Sequence, residues 1–157
     1  MREITTWNAT RKGMEVARRL PDAVVLGADT LVSLDGQVIG KPTDLADAKR
    51  ILRRLSGRTH QVCTAVFICS VAGFRTSSFC VVSRVQFRAL GEGEIDAYLA
   101  KINPLDKAGA YAAQGHGSEI IRQIRGSYTN VVGLPMGETL EALRLFGITP
   151  RAAEGGA

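Results

Sequence analysis

Apolar residues fall into two rhythms in this chain, one near the helical period and one near two, and they trade places from one end to the other. Residues 5–20 place Trp7, Met14, Ala17 and Leu20 on one side of a helix and Asn8, Lys12, Glu15 and Arg19 on a polar stripe. Lys12 is then either solvated or turned into a cleft. Leu45, Ala48, Ile51, Leu52 and Leu55 repeat at helical spacing behind Thr43 or Asp44, either of which can cap a helix that Gly57 ends. Glu92–Ile102 reads as a short helix with Ile95, Tyr98 and Leu99 inward, and a last helix follows the turn Asn130–Pro135 and stops at Gly147.

The strand rhythm is clearest in Val24–Pro42, VVLGADTLVSLDGQVIGKP. Asp35-Gly36 suits the centre of a type I′ turn, which pairs Leu34 with Gln37, Val32 with Ile39 and Thr30 with Lys41. Thr30 and Lys41 then share a face, and Asp29 points the other way unless Gly27 and Gly40 let the backbone bend. The expectation is that it bends, bringing a carboxylate and an ammonium together; the plain alternative is a surface hairpin with both charges solvated. His60–Val71 and Phe74–Leu90 are rich in β-branched and aromatic residues around Ala72-Gly73, an antiparallel pair within an extended mixed sheet. Glu119–Ile124 adds a short strand. Asp106–Gly117, DKAGAYAAQGHG, has little periodicity and either lines a ligand site or forms a flexible surface loop. Residues 1–148 read as one domain and 149–157 as a flexible tail, with no internal repeat.

Composition narrows the function more than the fold. No apolar run is long enough for a membrane span and no charged-then-apolar leader stands at the start, so the cytoplasm is the default expectation. A net charge of +5 and a pI near 9.4 favour anionic partners. The basic residues are scattered, however, and 6% aromatic content makes a thin stacking platform, so a nucleic-acid binder rests on net charge alone. A small phosphorylated ligand explains the balance as well. Cys63, Cys69 and Cys80 lack C-x-x-C spacing and read as buried, reduced thiols. His60 and His116 are too few and too separated for a zinc site, while a catalytic Cys-His pair stays open.

Six motifs taken in order carry a resemblance. GADT (Gly27–Thr30), GKP (Gly40–Pro42), LSGRTH with QVCT (Leu55–Thr64), DKAGAY (Asp106–Tyr111), QG (Gln114-Gly115) and NVVGLP (Asn130–Pro135) resemble, in sequence and spacing, the Maf family of nucleoside triphosphate pyrophosphatases. The resemblance implies an α/β fold related to the inosine triphosphate pyrophosphatases: an elongated mixed sheet flanked by helices, with a central cleft, often in a homodimer. It also implies hydrolysis of a nucleoside triphosphate to the monophosphate and pyrophosphate with a divalent metal, magnesium or manganese. The AGAY-x-x-QG and NVVGLP pattern resembles the branch acting on dTTP and UTP, with modified pyrimidine nucleotides as further substrates.

Carried over by position, Asp29 matches the family's catalytic acidic residue, able to hold the metal, orient water or take its proton. Thr30 and Gln114 match positions linked to base selectivity. Lys12, Lys41 and Arg58 match cleft cations for the triphosphate, with Asp44 and Lys107 as further candidates. Ala65, Ala112-Ala113 and Asn103 depart from the family pattern in ways it tolerates. The larger departure is a strand carrying S-x-S-P-R-R, which in the family precedes all of these motifs and is not in this sequence. The expectation is that the true start lies upstream of Met1. The competing expectation is a truncated relative that binds nucleotide and no longer turns it over.

Overall fold

Five strands build the centre of the molecule, which a computed structural model describes over residues 1–151. They are β1 (Val24–Leu34), β2 (Gln37–Ile39), β3 (Thr59–Ser70), β4 (Arg75–Phe87) and β5 (Ile121–Arg125), hydrogen-bonded in the order β2-β1-β3-β4-β5. With helices on both faces this is the α/β architecture the resemblance implies. The ladder, expected to be mixed, is antiparallel at all four pairs among the described strands. Short turns explain much of the difference, because β1–β2 and β3–β4 are hairpins and a hairpin admits only antiparallel pairing.

Asp35 and Gly36 have φ of 51° and 80°, the two positive values a type I′ turn requires, and Val32 pairs with Ile39 and Leu34 with Gln37 as the spacing predicts. The pairing ends at Ile39, so Thr30 has no partner in Lys41. The expected bend in β1 is also absent. β1 runs against β3 in unbroken register from Val24–Ser70 to Ser33–Gln61. Because β2 covers β1 only over Val32–Leu34, the edge of β1 at residues 24–31 has no strand partner among the described residues.

Helix α1 (Arg2–Ala17) lies on the sheet face that carries the odd residues of β1 and β3. Its buried stripe is Thr5, Ala9, Gly13 and Ala17, not the expected Trp7 and Leu20, which are 62% and 54% exposed. Small residues win here because the helix backbone nearly touches the strand. A Cβ at Gly27 would sit 2.5 Å from the Ala9 carbonyl oxygen and 2.7 Å from the Gly13 nitrogen. Trp7 is left outside, with the Arg11 guanidinium 5.2 Å from its ring centroid.

The other face is covered by α2 (Leu45–Leu55), α3 (Glu92–Leu99), α4 (Gly117–Ile120), α5 (Tyr128–Val132) and α6 (Met136–Arg144). Its core joins Leu52 and Leu55 of α2 and Ile95 and Tyr98 of α3 to Val32, Val62, Val85 and Phe87 of the sheet. Asp44 caps α2 by accepting from the Asp47 amide at 2.7 Å, which is its role here in place of one in the cleft. Glu92 of α3 receives both the Arg53 guanidinium and Lys49 of α2. Residues 130–132, expected as part of a turn, belong to α5, whose start the Ser127 hydroxyl caps by accepting from the Asn130 amide.

All three cysteines are free thiols. Cys63 and Cys80 lie on the α1 face with their Sγ atoms 2.7 Å apart, and burial, helped by the neighbouring thiol, pushes Cys80 up to about 12. No described helix is long and apolar enough to cross a membrane. The expected tail falls on residues 152–157 for the most part, outside the described residues.

Candidate active site

Alternation along one strand sets the site. Asp29 faces α1 and Thr30 faces the other layer, and since β2 stops short of both among the described residues, they line the same cleft of about 380 Å³. This is how the carboxylate reaches the cleft with no bend in the strand.

The Asp29 side chain is 12% exposed and both its oxygens are held from one helix. Lys12 Nζ donates to Oδ1 at 2.6 Å, and Asn8 Nδ2 donates to Oδ2 at 3.0 Å. Asn8 and Lys12 are one helical turn apart on the polar stripe of α1, so they meet the carboxylate side by side. Lys12 is therefore turned into the cleft, although its side chain remains 54% exposed.

The facing wall is the segment 106–114. Lys41, Asp106 and Lys107 stand at the cleft, where Lys107 Nζ binds Asp106 Oδ1 at 2.8 Å. That hydrogen bond holds the Asp106 carboxyl below its ordinary range, and Lys41 adds to the effect. Gly109 makes the wall's turn with φ of 77° and donates to the Gly40 carbonyl at 3.0 Å. Two buried phenols then fasten the wall to the core. Tyr98 accepts from the Ala112 amide at 3.1 Å and donates to its carbonyl at 3.3 Å, while the Tyr111 hydroxyl lies 2.8 Å from His60 Nε2. His60, Phe87 and Tyr111 pack edge to face, and burial pulls His60 down to about 4, so its imidazole is neutral near pH 7. Gln114 follows at the rim, with no hydrogen-bond partner for its side-chain amide among the described residues.

Behind Thr30 lies a short polar chain. Thr64 of β3 is the direct cross-strand partner of Thr30, the two hydroxyls are 2.9 Å apart, and Thr64 donates to the Asn130 carbonyl at 2.9 Å. Asn130 is itself buried and pins α5 to the sheet through Nδ2, which donates to the Val62 carbonyl and to Ser83 Oγ. Val131, Val132 and Gly133 of this segment complete the wall around Thr30.

Of the residues proposed from sequence, Asp29, Lys12, Thr30, Lys41 and Gln114 come together at one cleft, with Lys107 beside them. Arg58 does not. It sits just before β3 and is paired with Asp35 at the tip of the first hairpin, away from the cleft lining, because β3 starts at the end of the sheet where that hairpin turns. Asn8, Thr64 and Tyr98 were not anticipated as site residues. Asn8 had a signal, one helical turn before Lys12; Thr64 and Tyr98 act through partners distant in sequence. Among the described residues no group of three or more His, Cys, Asp or Glu side chains gathers into a cage for a metal. Magnesium commonly needs only one or two carboxylates when phosphate oxygens and waters supply the rest, and Asp29 fits that donor set.

A protein-family model described as "Maf-like protein" matches residues 1–146. The chain is 52% identical over 130 residues to a dTTP/UTP pyrophosphatase of Aromatoleum aromaticum, spanning 83% of this chain and 62% of that protein. It is 45% identical over 148 residues to a dTTP/UTP pyrophosphatase of Bacillus pumilus, spanning 94% and 77%. A dTTP/UTP pyrophosphatase of Akkermansia muciniphila is 46% identical over 145 residues, spanning 92% and 76%. The chain thus spans under two thirds of the first relative's length and about three quarters of the other two.

Proposed function

The chain belongs to the Maf family, and from that premise we propose that it hydrolyses dTTP or UTP to the monophosphate and pyrophosphate, with residues 1–148 as the working unit. The observation that carries the reading is the Asp29 carboxylate, gripped by Asn8 and Lys12 at a cleft that also gathers Lys41, Lys107 and Gln114. A triphosphate brings roughly four negative charges, and the three lysines of the cleft, two of them already paired with Asp29 and Asp106, supply part of the countercharge and leave the rest to a bound cation. Preorganised cations of this kind act most strongly where charge builds up as the bond breaks.

In this reading Asp29 orients a water and takes its proton as the water oxygen bonds to the α-phosphorus. The bond from the α-phosphorus to the bridging oxygen breaks, and that oxygen leaves on pyrophosphate with the electron pair. Lys12 keeps the carboxylate in place and ionised partners close to the phosphates, while Lys41 and Lys107 hold the departing end. A magnesium or manganese ion, held by Asp29 and the substrate's phosphates, would when bound supply further neutralisation of phosphate charge. Thr30 and Gln114 read the base, Gln114 offering both a donor and an acceptor. The same proposal includes a homodimer, which light scattering reads directly, and a cytoplasmic setting, which three free thiols support.

Pyrophosphate release from dTTP and UTP, with magnesium or manganese supplied, tests the reading. Asp29→Asn keeps the shape of the side chain and removes the base, so kcat is expected to fall by about a hundredfold or more with little change in fold. Equal turnover by both proteins removes Asp29 from its role. Tight nucleotide binding without turnover by the unaltered protein would leave a binding function in place of the enzyme.

A further inference from the structure

The sheet face that α1 covers continues bare beyond the start of that helix. α1 packs over Ala65, Phe67 and Cys69, and past it the same face ends in two rows laid across β3, β4 and β5. One row is Gln61, Arg84 and Arg125, the other Thr59, Gln86 and Gln123, each residue the direct cross-strand partner of the next. Their chain neighbours His60, Val85 and Ile124 alternate into the core, which turns all six side chains to one outer surface. Gln86 is half-buried there and the other five are exposed.

Arg84 and Arg125 are out of keeping with the rest of the molecule. Directly opposed residues hold their Cβ atoms about 5 Å apart, and two like charges so placed repel each other. Where cations cluster elsewhere a carboxylate joins them, as Glu92 joins Lys49 and Arg53. Among the described residues neither Arg84 nor Arg125 has an ion-pair partner. Two hollows meet at these guanidiniums, one of about 310 Å³ shared with Thr59, Gln86 and Gln123 and a wider one that reaches Gln61 and Arg2. Glu3 is the one carboxylate that lines either hollow, and no aromatic ring lines them.

We propose that Arg84 and Arg125 form an oxyanion site, separate from the cleft of Asp29, for a short chain of linked phosphates: pyrophosphate or tripolyphosphate. A guanidinium binds phosphate oxygens in pairs, so two of them side by side meet two successive phosphates, and the bridging anion turns their repulsion into attraction. The glutamine amides and the Thr59 hydroxyl add donors for the remaining oxygens without adding charge. A nucleobase finds no ring to stack on, which favours bare phosphates over a nucleic-acid strand. An anion held there also ties the edge strand β5 to β4 where their register shifts between Gln86 and Phe87. None of the six residues lines the cleft of Asp29, so the site stands apart from the proposed hydrolysis.

Calorimetric titration with tripolyphosphate, pyrophosphate and inorganic phosphate in metal-free buffer tests the proposal. Lys41→Ala/Lys107→Ala weakens the cleft and isolates the second site, and Arg84→Gln/Arg125→Gln removes its two charges while keeping polar side chains. The lysine variant is expected to bind one equivalent of tripolyphosphate, and the arginine substitutions added to it to weaken that binding by about tenfold or more, with inorganic phosphate weak throughout. Thermal midpoints give a second reading: tripolyphosphate raises the midpoint of the lysine variant and not that of the combined variant, and without anion the arginine variant is at least as stable as the unaltered protein because the repulsion is gone. Arg84→Gln/Arg125→Gln alone is expected to release pyrophosphate from UTP at the rate of the unaltered protein. A folded combined variant that binds tripolyphosphate as tightly as the lysine variant overturns the proposal, as does a lysine variant that binds none. A thymidine oligonucleotide that binds the lysine variant more tightly than tripolyphosphate, and loses that binding with the arginines, overturns the choice of ligand. Failure of the unaltered protein to cut UTP and dTTP sinks the proposed function and leaves this site standing.

Discussion

Adding a single methyl group at Gly27 should disturb both stability and the site, although Gly27 touches no substrate. In Gly27→Ala the new Cβ would sit 2.5 Å from the Ala9 carbonyl oxygen, 2.7 Å from the Gly13 nitrogen and 2.9 Å from the Gly13 Cα. All three are backbone atoms, so no side chain can swing aside. Opening the closest contact from 2.5 Å to the 3.4 Å where ordinary van der Waals contact begins lifts α1 from the sheet by about 0.9 Å. Overpacking of this kind costs about 1–3 kcal/mol, and the rigid neighbours put this case near 3. For a chain of this size that lowers the thermal midpoint by roughly 10 °C. The same lift stretches the 2.6 Å contact of Lys12 with Asp29 to about 3.5 Å, the outer edge of hydrogen-bond range, and loosens the grip on the carboxylate, so pyrophosphate release should fall by about tenfold. Calorimetry and a pyrophosphate assay on one preparation read both effects. Gly93→Ala in α3, where a Cβ meets nothing within 4 Å, is the control and is expected to be neutral or slightly stabilising. A Gly27→Ala protein with an unchanged midpoint and full activity would show that α1 does not rest on the strand backbone.

His60 gives the fold a definite acid sensitivity. Burial lowers its pKa from 6.5 to about 4, so the unfolded chain takes up a proton in that window that the folded chain refuses. The stability tied to its neutral ring is whole above pH 6.5 and drains away as pH falls toward about 4, for a total of about 3 kcal/mol. Urea unfolding at several pH values should show that slope, and His60→Leu should flatten it; an unchanged slope would place the acid sensitivity elsewhere. Arg58→Ala is expected to leave kcat/KM within about twofold and stability within about 0.5 kcal/mol, because Arg58 forms an exposed pair with Asp35. A tenfold rise in KM for the nucleotide would return Arg58 to the phosphates.

What the sequence disclosed of this molecule was mostly what is local. The turn at Asp35-Gly36 dictates its own geometry, and the pairing of Val32 with Ile39 follows by counting outward from it. The cap at Asp44 and the helical spacing of Ala48, Ile51 and Leu55 are equally self-contained. The stripe of α1 was misjudged for a physical reason: periodicity ranks Trp7 above Gly13, while a helix seated directly on a strand backbone favours the smallest residues. Asp29 and Thr30 were legible as neighbours with opposed side chains, yet the absence of a β2 partner beside them depends on where the ladder stops. Tyr98 and Thr64 lay beyond reach because each acts through one hydroxyl placed by tertiary packing.

The opposed side chains of Asp29 and Thr30 on β1 have a lasting consequence for how such a protein can change. In the proposed reading, acid–base chemistry and base choice sit on consecutive residues, back to back, separated by the rise of a single residue, about 3.4 Å. Sliding the strand by one position would swap the two, turning the carboxylate toward Asn130 and the hydroxyl toward Lys12, and both tasks would be lost at once. In that reading drift toward a new nucleobase is easiest on the opposite bank, where Ala112 is held by the phenol of Tyr98, Ala113 by that of Tyr128, and Gln114 can be replaced without moving Asp29.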